Sequence, residues 1–183
     1  MLSILRPQKL ELEAIYLGLL SAWRIKPLSR TEYPLKADVL ALLEVLGLMV
    51  APVLRVAENG TRVTHWTFGA EPRLVEQYWR EYEGTAIARQ LPAVVRAEGR
   101  YFGYPPCCVE AFIREPYAPN GLTAEEQGLL FHHACPGCRE TSRLIPLYQA
   151  ALAEARDLHK TMSRARRRHT VRGNAVASVP YPA

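Results

Sequence analysis

The chain has 183 residues, 49% of them hydrophobic, and a formal net charge of +5. That length buries a hydrophobic core without cross-links, so the four cysteines are not the scaffold of a tiny secreted domain. No run approaches the ~18 apolar residues of a membrane span, and the N-terminal MLSILRPQKLELEAIY lacks a signal peptide's apolar stretch. The expectation is a cytoplasmic protein with no membrane partner.

Between Lys9 and Trp23 the residues Leu12, Ile15, Tyr16, Leu19, Leu20 and Trp23 recur at helical spacing, and Pro27 ends the pattern. A second helix is predicted over Leu35–Leu46, buried through Val39, Leu42, Leu43 and Leu46. Residues Leu48–Ala57 and Thr61–Phe68 are rich in β-branched and aromatic side chains and are separated around Asn59-Gly60, a strong hairpin signal. An isolated hairpin is marginal in water, so this one must pack on the helices or pair with a further strand, a second copy of the chain being one source. His65 on the hairpin reads as a structural residue.

Pro72 stands where a first helical turn begins, and Leu74, Tyr78, Trp79 and Tyr82 mark one face before Gly84. The pattern then predicts a helix over Thr85–Ala97, a loop through RYFGYPPCC, and a short helix over Val109–Glu115 stopped by Pro116. Thr123 with Glu126 forms a capping-box signature for a helix reaching about His133. Cys135-Pro136-Gly137-Cys138 is a tight turn. After it, Leu144, Leu147, Tyr148, Ala151, Leu152, Ala155, Leu158 and Met162 trace one face of a long helix, which Pro146 either kinks or enters in its first turn. The fold class expected is a mainly helical α+β, with about six helices and one hairpin. Residues 1–158 form one globular domain, followed by a basic helix end and a flexible tail over 159–183.

The cysteines carry the clearest chemistry. The C-x-x-C spacing of Cys135 and Cys138 lets two thiolates grip one ion, and Cys107-Cys108 supplies a second pair after two stiffening prolines. Four thiolates suit a tetrahedral Zn²⁺ or a [4Fe–4S] cluster. Adjacent cysteines ordinarily diverge, so His132 or His133 is an alternative ligand that would replace one of Cys107 and Cys108. In a different class of reading the same residues form a thiol–disulfide oxidoreductase, with Cys135 attacking and Cys138 or the Cys107-Cys108 pair resolving. Few Asn and Gln residues leave a thermophile's disulfide staple open as well. Glu110, Glu115 and Glu140 flank the cysteines and read first as solvated carboxylates.

The segment Phe102-Gly103-Tyr104-Pro105-Pro106-Cys107-Cys108-Val109-Glu110-Ala111-Phe112 resembles the G-Y-P-x-C-C-V-x-x-F signature of a mostly archaeal family, domain of unknown function 483. The similarity spans roughly residues 48–115. It implies a small cytoplasmic protein and marks Gly103, Tyr104, Pro105, Cys107 and Cys108 as motif positions, without naming a reaction.

The positive charge is concentrated at the C-terminus. Lys160, Arg164, Arg166, Arg167, Arg168 and Arg172 are six of the 23 basic residues, leaving 17 against 18 acids in the rest. Arg164, Arg166, Arg167, Arg168 and Arg172 are therefore candidate phosphate contacts to nucleic acid, with no interleaved aromatics for base stacking. A gly-rich phosphate loop, paired catalytic carboxylates and a Ser-His-Asp signature are all absent.

Overall fold

The computed structural model describes the backbone of residues 7–87 and 91–175. Among these residues there are seven helices and one small antiparallel sheet, which makes the fold mainly helical α+β. Helix α1 (Pro7–Ala22) leads to strand β1 (Ser29–Thr31), helix α2 (Ala37–Val45) and the hairpin β2 (Met49–Val56) and β3 (Arg62–Gly69). Five helices follow: α3 (Pro72–Tyr82), α4 (Pro92–Tyr101), α5 (Pro106–Arg114), α6 (Ala124–Leu129) and α7 (Arg139–Ala175). None of the described helices is long and apolar enough to cross a membrane.

The hairpin finds its third strand within the chain. β1 pairs with β3 from Ser29 opposite Phe68 to Thr31 opposite Trp66, giving the order β1-β3-β2. Three residues are too few to leave a period-2 pattern in the sequence, and β1 was not legible there. Val53 and Phe68 turn inward from the sheet, the first onto Val75, Tyr78 and Tyr82 of α3 and the second onto Leu17, Val39 and Leu43.

The third core lies between α1 and α7. Ile15, Tyr16, Leu19 and Leu20 meet Tyr148, Ala151 and Ala155, and Cys108 and Cys138 belong to the same buried cluster. Removing this apolar surface from water, at roughly 25 cal/mol per Å², fixes the start of α7 against α1. The Tyr16 hydroxyl adds a bond of 2.9 Å to the carbonyl of Leu129.

Several segments differ from the sequence expectation. The helix predicted over Thr85–Ala97 begins at Pro92, because Thr85–Ile87 run extended beside β2. Val56 N–H donates to Thr85 O at 3.0 Å, and Ile87 N–H donates to Val56 O at 2.8 Å. Helix α6 ends at Leu129 and not near His133, because Leu130 is already extended (ψ 148°). Helix α7 runs to Ala175, so the helical part takes up most of the segment 159–183. It also stays in contact with the body beyond residue 158, where Met162 packs on the α1 and α2 clusters. The rest of the predicted tail, residues 176–183, lies outside the described residues.

Candidate metal centre

Two helix starts and one knuckle turn build the site. Pro105 is the extended N-cap of α5 and Pro106 its first residue, so φ is preset where a missing N–H costs nothing. The carbonyl of Pro105 then accepts from Cys108 N–H at 2.9 Å and from Val109 N–H at 3.1 Å. This puts Cys107 and Cys108 in the first turn of a helix, where the sequence pattern predicted a loop. Gly103 makes the approach possible. Its φ is +68°, and a Cβ there would stand 2.5 Å from Cδ of Pro27.

The second pair comes from the turn before α7. Cys138 N–H donates to Cys135 O at 3.3 Å, with Gly137 at φ +64° reversing the chain between them. The sulfur of Cys138 also caps α7, accepting from Thr141 N–H at 3.4 Å.

The four Sγ atoms lie within 4.8 Å of one another. Cys108 Sγ is 3.4 Å from Cys138 Sγ and 3.8 Å from Cys135 Sγ, and Cys107 Sγ is 3.5 Å from Cys138 Sγ. All four are free of disulfides, with Cys107 exposed, Cys135 half-buried, and Cys108 and Cys138 buried. The site is therefore one group of four thiols at the spacing of ligands around an ion. Adjacency does not separate Cys107 from Cys108, because both sit on the helix turn whose N-terminus faces the knuckle.

Electrostatics within the group are uneven. Burial pushes the Cys108 thiol up, and Cys107 is raised too, by burial and by neighbouring sulfurs. Burial also acts to raise Cys138, but bonds from the Thr141 hydroxyl and amide and from the Cys108 and Cys107 thiols outweigh it and bring this thiol down to about 7. Backbone donors converge on the sulfurs, since Cys135 N–H also donates to Cys108 Sγ at 3.3 Å. At Cys138 the donors favour thiolate over thiol, while at Cys107 and Cys108 burial and the neighbouring sulfurs outweigh them.

His132 and His133 stand outside the four-sulfur group. His132 Nε2 is 3.2 Å from Thr141 Oγ1, which in turn is 3.6 Å from Cys108 Sγ. It is thus one residue removed from the sulfurs. Burial, with Lys26 and His133 nearby, lowers its pKa to about 4. His133 Nε2 donates to Ala118 O at 2.7 Å. Glu110 points elsewhere, paired through both oxygens with Arg96 at 2.6 and 2.9 Å, and Glu140 pairs with Arg143 on the surface.

Thr141 was missed in the sequence, although its position three residues after a helix-capping Cys138 is a capping signal. Gln127 was missed as well. Its Oε1 accepts from Asn120 Nδ2 at 2.7 Å and from Ala134 N–H, and its Nε2 donates to His132 O at 2.9 Å, so one amide ties the loops around the knuckle.

The basic run divides. Arg166 reaches back to the body, bonding Glu11 Oε2 at 2.6 Å and pairing with Asp38. Glu11 is only 5% exposed and is also paired with Lys36, and these cations outweigh its burial to hold its carboxyl below the usual range. Arg164, Arg167 and Arg168 are exposed on α7. The side chain of Arg172 lies outside the described residues. Comparison of the chain with protein families, with curated proteins and with solved structures finds no match.

Proposed function

We propose that the protein is a zinc-binding protein whose four cysteines hold one Zn²⁺ as thiolates, clamping the start of α5 to the start of α7. The observation that carries this reading is the sulfur spacing. Four thiolates at about 2.3 Å from a tetrahedral ion stand about 3.8 Å apart, and the closest sulfur pairs span 3.4 to 3.8 Å. A [4Fe–4S] cube binds each thiolate to a different iron, so its sulfurs must splay apart by an iron–iron edge and two outward bonds. The 4.8 Å spread of the four sulfurs favours the smaller body, a single ion.

The site is closed, with four protein ligands and no open position, which suits a structural ion better than a Lewis acid. Bound, the ion would cross-link the start of α5 to the start of α7 without oxidation of the thiols. Cys135 N–H and Thr141 N–H offset the charge of the tetrathiolate by donating to its sulfurs. The resemblance around Gly103–Phe112 to domain of unknown function 483 agrees with Cys107 and Cys108 being a recurrent pair. Metal analysis of protein purified without added metal tests the reading. About one zinc per chain is expected; iron with acid-labile sulfide, or no metal, contradicts it.

A second reading, thiol–disulfide exchange, draws on one observation. Cys138 has a thiol brought down to about 7, with the exposed Cys107 3.5 Å away. Alkylation separates the two, because a closed zinc site reacts only after chelation whereas a redox pair reacts at once. For nucleic acid, the proposal narrows to the exposed Arg164, Arg167 and Arg168 as phosphate contacts, with Arg166 engaged inside the fold.

A further inference from the structure

The four sulfurs differ in their access to solvent. Cys107 is exposed, Cys135 half-buried, and Cys108 and Cys138 buried. They differ also in what the backbone gives them. Cys135 N–H reaches Cys108 Sγ at 3.3 Å and Thr141 N–H reaches Cys138 Sγ at 3.4 Å, while among the described residues no N–H reaches the sulfur of Cys107 or Cys135. In a metal-bound set such bonds draw electron density off a sulfur, and a sulfur without them keeps it for an incoming electrophile. Cys107 is therefore the sulfur that a small oxidant meets first, and its lone pairs are undamped.

A second sulfur is placed to complete an oxidation. Cys138 Sγ stands 3.5 Å from Cys107 Sγ. Cys108, the sequence neighbour, is a poor partner. Consecutive Cα atoms lie about 3.8 Å apart, short of the roughly 4.4–6.8 Å that a disulfide spans. The Cys108 N–H is also held by Pro105 O at 2.9 Å in the first turn of α5. Cys138 belongs instead to the knuckle before α7, so a bond to it joins two separate elements.

We propose that Cys107 is a site of oxidation by hydrogen peroxide, and that a disulfide to Cys138 then forms and expels the zinc ion; this rests on the zinc reading above. The Cys107 thiolate attacks one peroxide oxygen, so an S–O bond forms, the O–O bond breaks, and the departing hydroxide takes a proton from solvent and leaves as water. The Cys138 thiolate then attacks the Cys107 sulfur. The S–S bond forms, the S–O bond breaks, and a second hydroxide is protonated and leaves as water. The sulfur pair loses two electrons and the peroxide gains them. Cys108 and Cys135, too few to hold the ion, each take up a proton as Zn²⁺ departs. Ligation slows Cys107 relative to a free thiolate, so the reaction calls for excess peroxide and time, unlike the immediate reaction of an unligated pair.

The new bond keeps α5 joined to α7 while Cys108 is released from the ion. Cys108 forms part of the wall of a cavity of about 570 Å³, between α4 and α5 on one side and residues 127–133 on the other, with Arg30 and Glu98 in the same wall. The reduced and oxidised states thus differ at that wall.

Treating the zinc-loaded full chain with excess hydrogen peroxide in the presence of a chromogenic zinc chelator, beside a peroxide-free control and with peptide mapping of the product, tests this. One zinc is expected to leave per disulfide formed, with Cys107 paired to Cys138, and dithiothreitol with added Zn²⁺ should restore the metal. Cys107→His keeps a zinc ligand but no thiol, and should release zinc about tenfold or more slowly under peroxide. Cys135→His, altered at a sulfur outside the pair, should release it at close to the parent rate. Mapping of the parent protein decides alone should Cys107→His hold no zinc. Zinc retained in excess peroxide, or released with Cys107 unpaired or joined to a cysteine other than Cys138, overturns the proposal and leaves the metal reading standing. A chain that carries no zinc and takes none up overturns the metal reading and the proposal with it.

Discussion

The two ends of α7 were both conspicuous in the sequence, one for its cysteines and the other for its arginines, and the fold treats them in opposite ways. At the N-terminal end, residues 27 or more positions apart are drawn into one compact group of sulfurs. At the C-terminal end a contiguous run is split, Arg166 turning inward to Glu11 and Asp38 while Arg164, Arg167 and Arg168 face solvent. Clustering in sequence thus understated the first site and overstated the second. A thiol has no reason to sit in a turn except what it meets there, whereas a helix distributes neighbouring charges around its circumference.

The largest expected effect concerns the sulfurs. Cys108→Ser should remove the metal and lower stability by about 3 kcal/mol or more, since structural zinc contributes its binding free energy to folding. Chemical denaturation with parallel metal analysis reads both. An unchanged midpoint would make the two ends of α7 equivalent and dissolve the comparison.

Next in size is the effect of pH at Lys26, which is buried beneath Tyr104, Phe131 and Phe102 and donates to Phe102 O at 2.8 Å. Burial, with Arg30 adding repulsion, lowers its pKa to about 7, while the unfolded chain keeps the proton to about 10.4. Between these values the unfolded state binds more protons, so stability rises with pH, by at most about 1.4 kcal/mol per unit, and the full cost is felt below 7. Lys26→Met should flatten that rise between pH 7.5 and 9.5. A slope identical to that of the parent would exclude a neutral lysine under the site.

Gly103→Ala should cost about 1–2 kcal/mol, combining a left-handed backbone with a clash against Pro27, and it should loosen the approach to α5. Thermal denaturation measures it. Smallest is the split among the arginines. Arg166→Ala should cost about 1 kcal/mol by leaving the buried Glu11 with less compensation, and Arg167→Ala within about 0.5 kcal/mol of nothing. Replacing Arg164, Arg167 and Arg168 together should reduce the salt dependence of any nucleic-acid binding. If Arg166→Ala weakened that binding as much, the inward and outward halves of the run would not differ in role.

Much of the scaffold could be read from residues alone, because α1, α2, the hairpin and α3 carry long, regular patterns that end at Pro or Gly. The Thr123–Glu126 capping box appears as both reciprocal bonds. The shift of α4 to Pro92 was hidden, since only the partner strand holds Thr85–Ile87 extended. For the site, the pairs Cys107-Cys108 and Cys135-Cys138 were visible, but their meeting is a property of the fold, in which Cys108 and Cys138 join one buried cluster with residues of α1 and α7. Thr141, Glu98 and Arg30 look like ordinary surface residues until the fold brings them beside a sulfur or a cavity. One of His132 and His133 was an alternative ligand from the sequence; in the fold their Nε2 atoms contact Thr141 Oγ1 and Ala118 O.

X-ray absorption spectroscopy at the zinc edge on the purified full chain bears most directly on the central claim, that four thiolates share one ion. Four sulfur neighbours at about 2.3 Å, with no nitrogen or oxygen in the shell, are predicted. A shell of three sulfurs and one nitrogen, or an iron–iron distance at the iron edge, would contradict it.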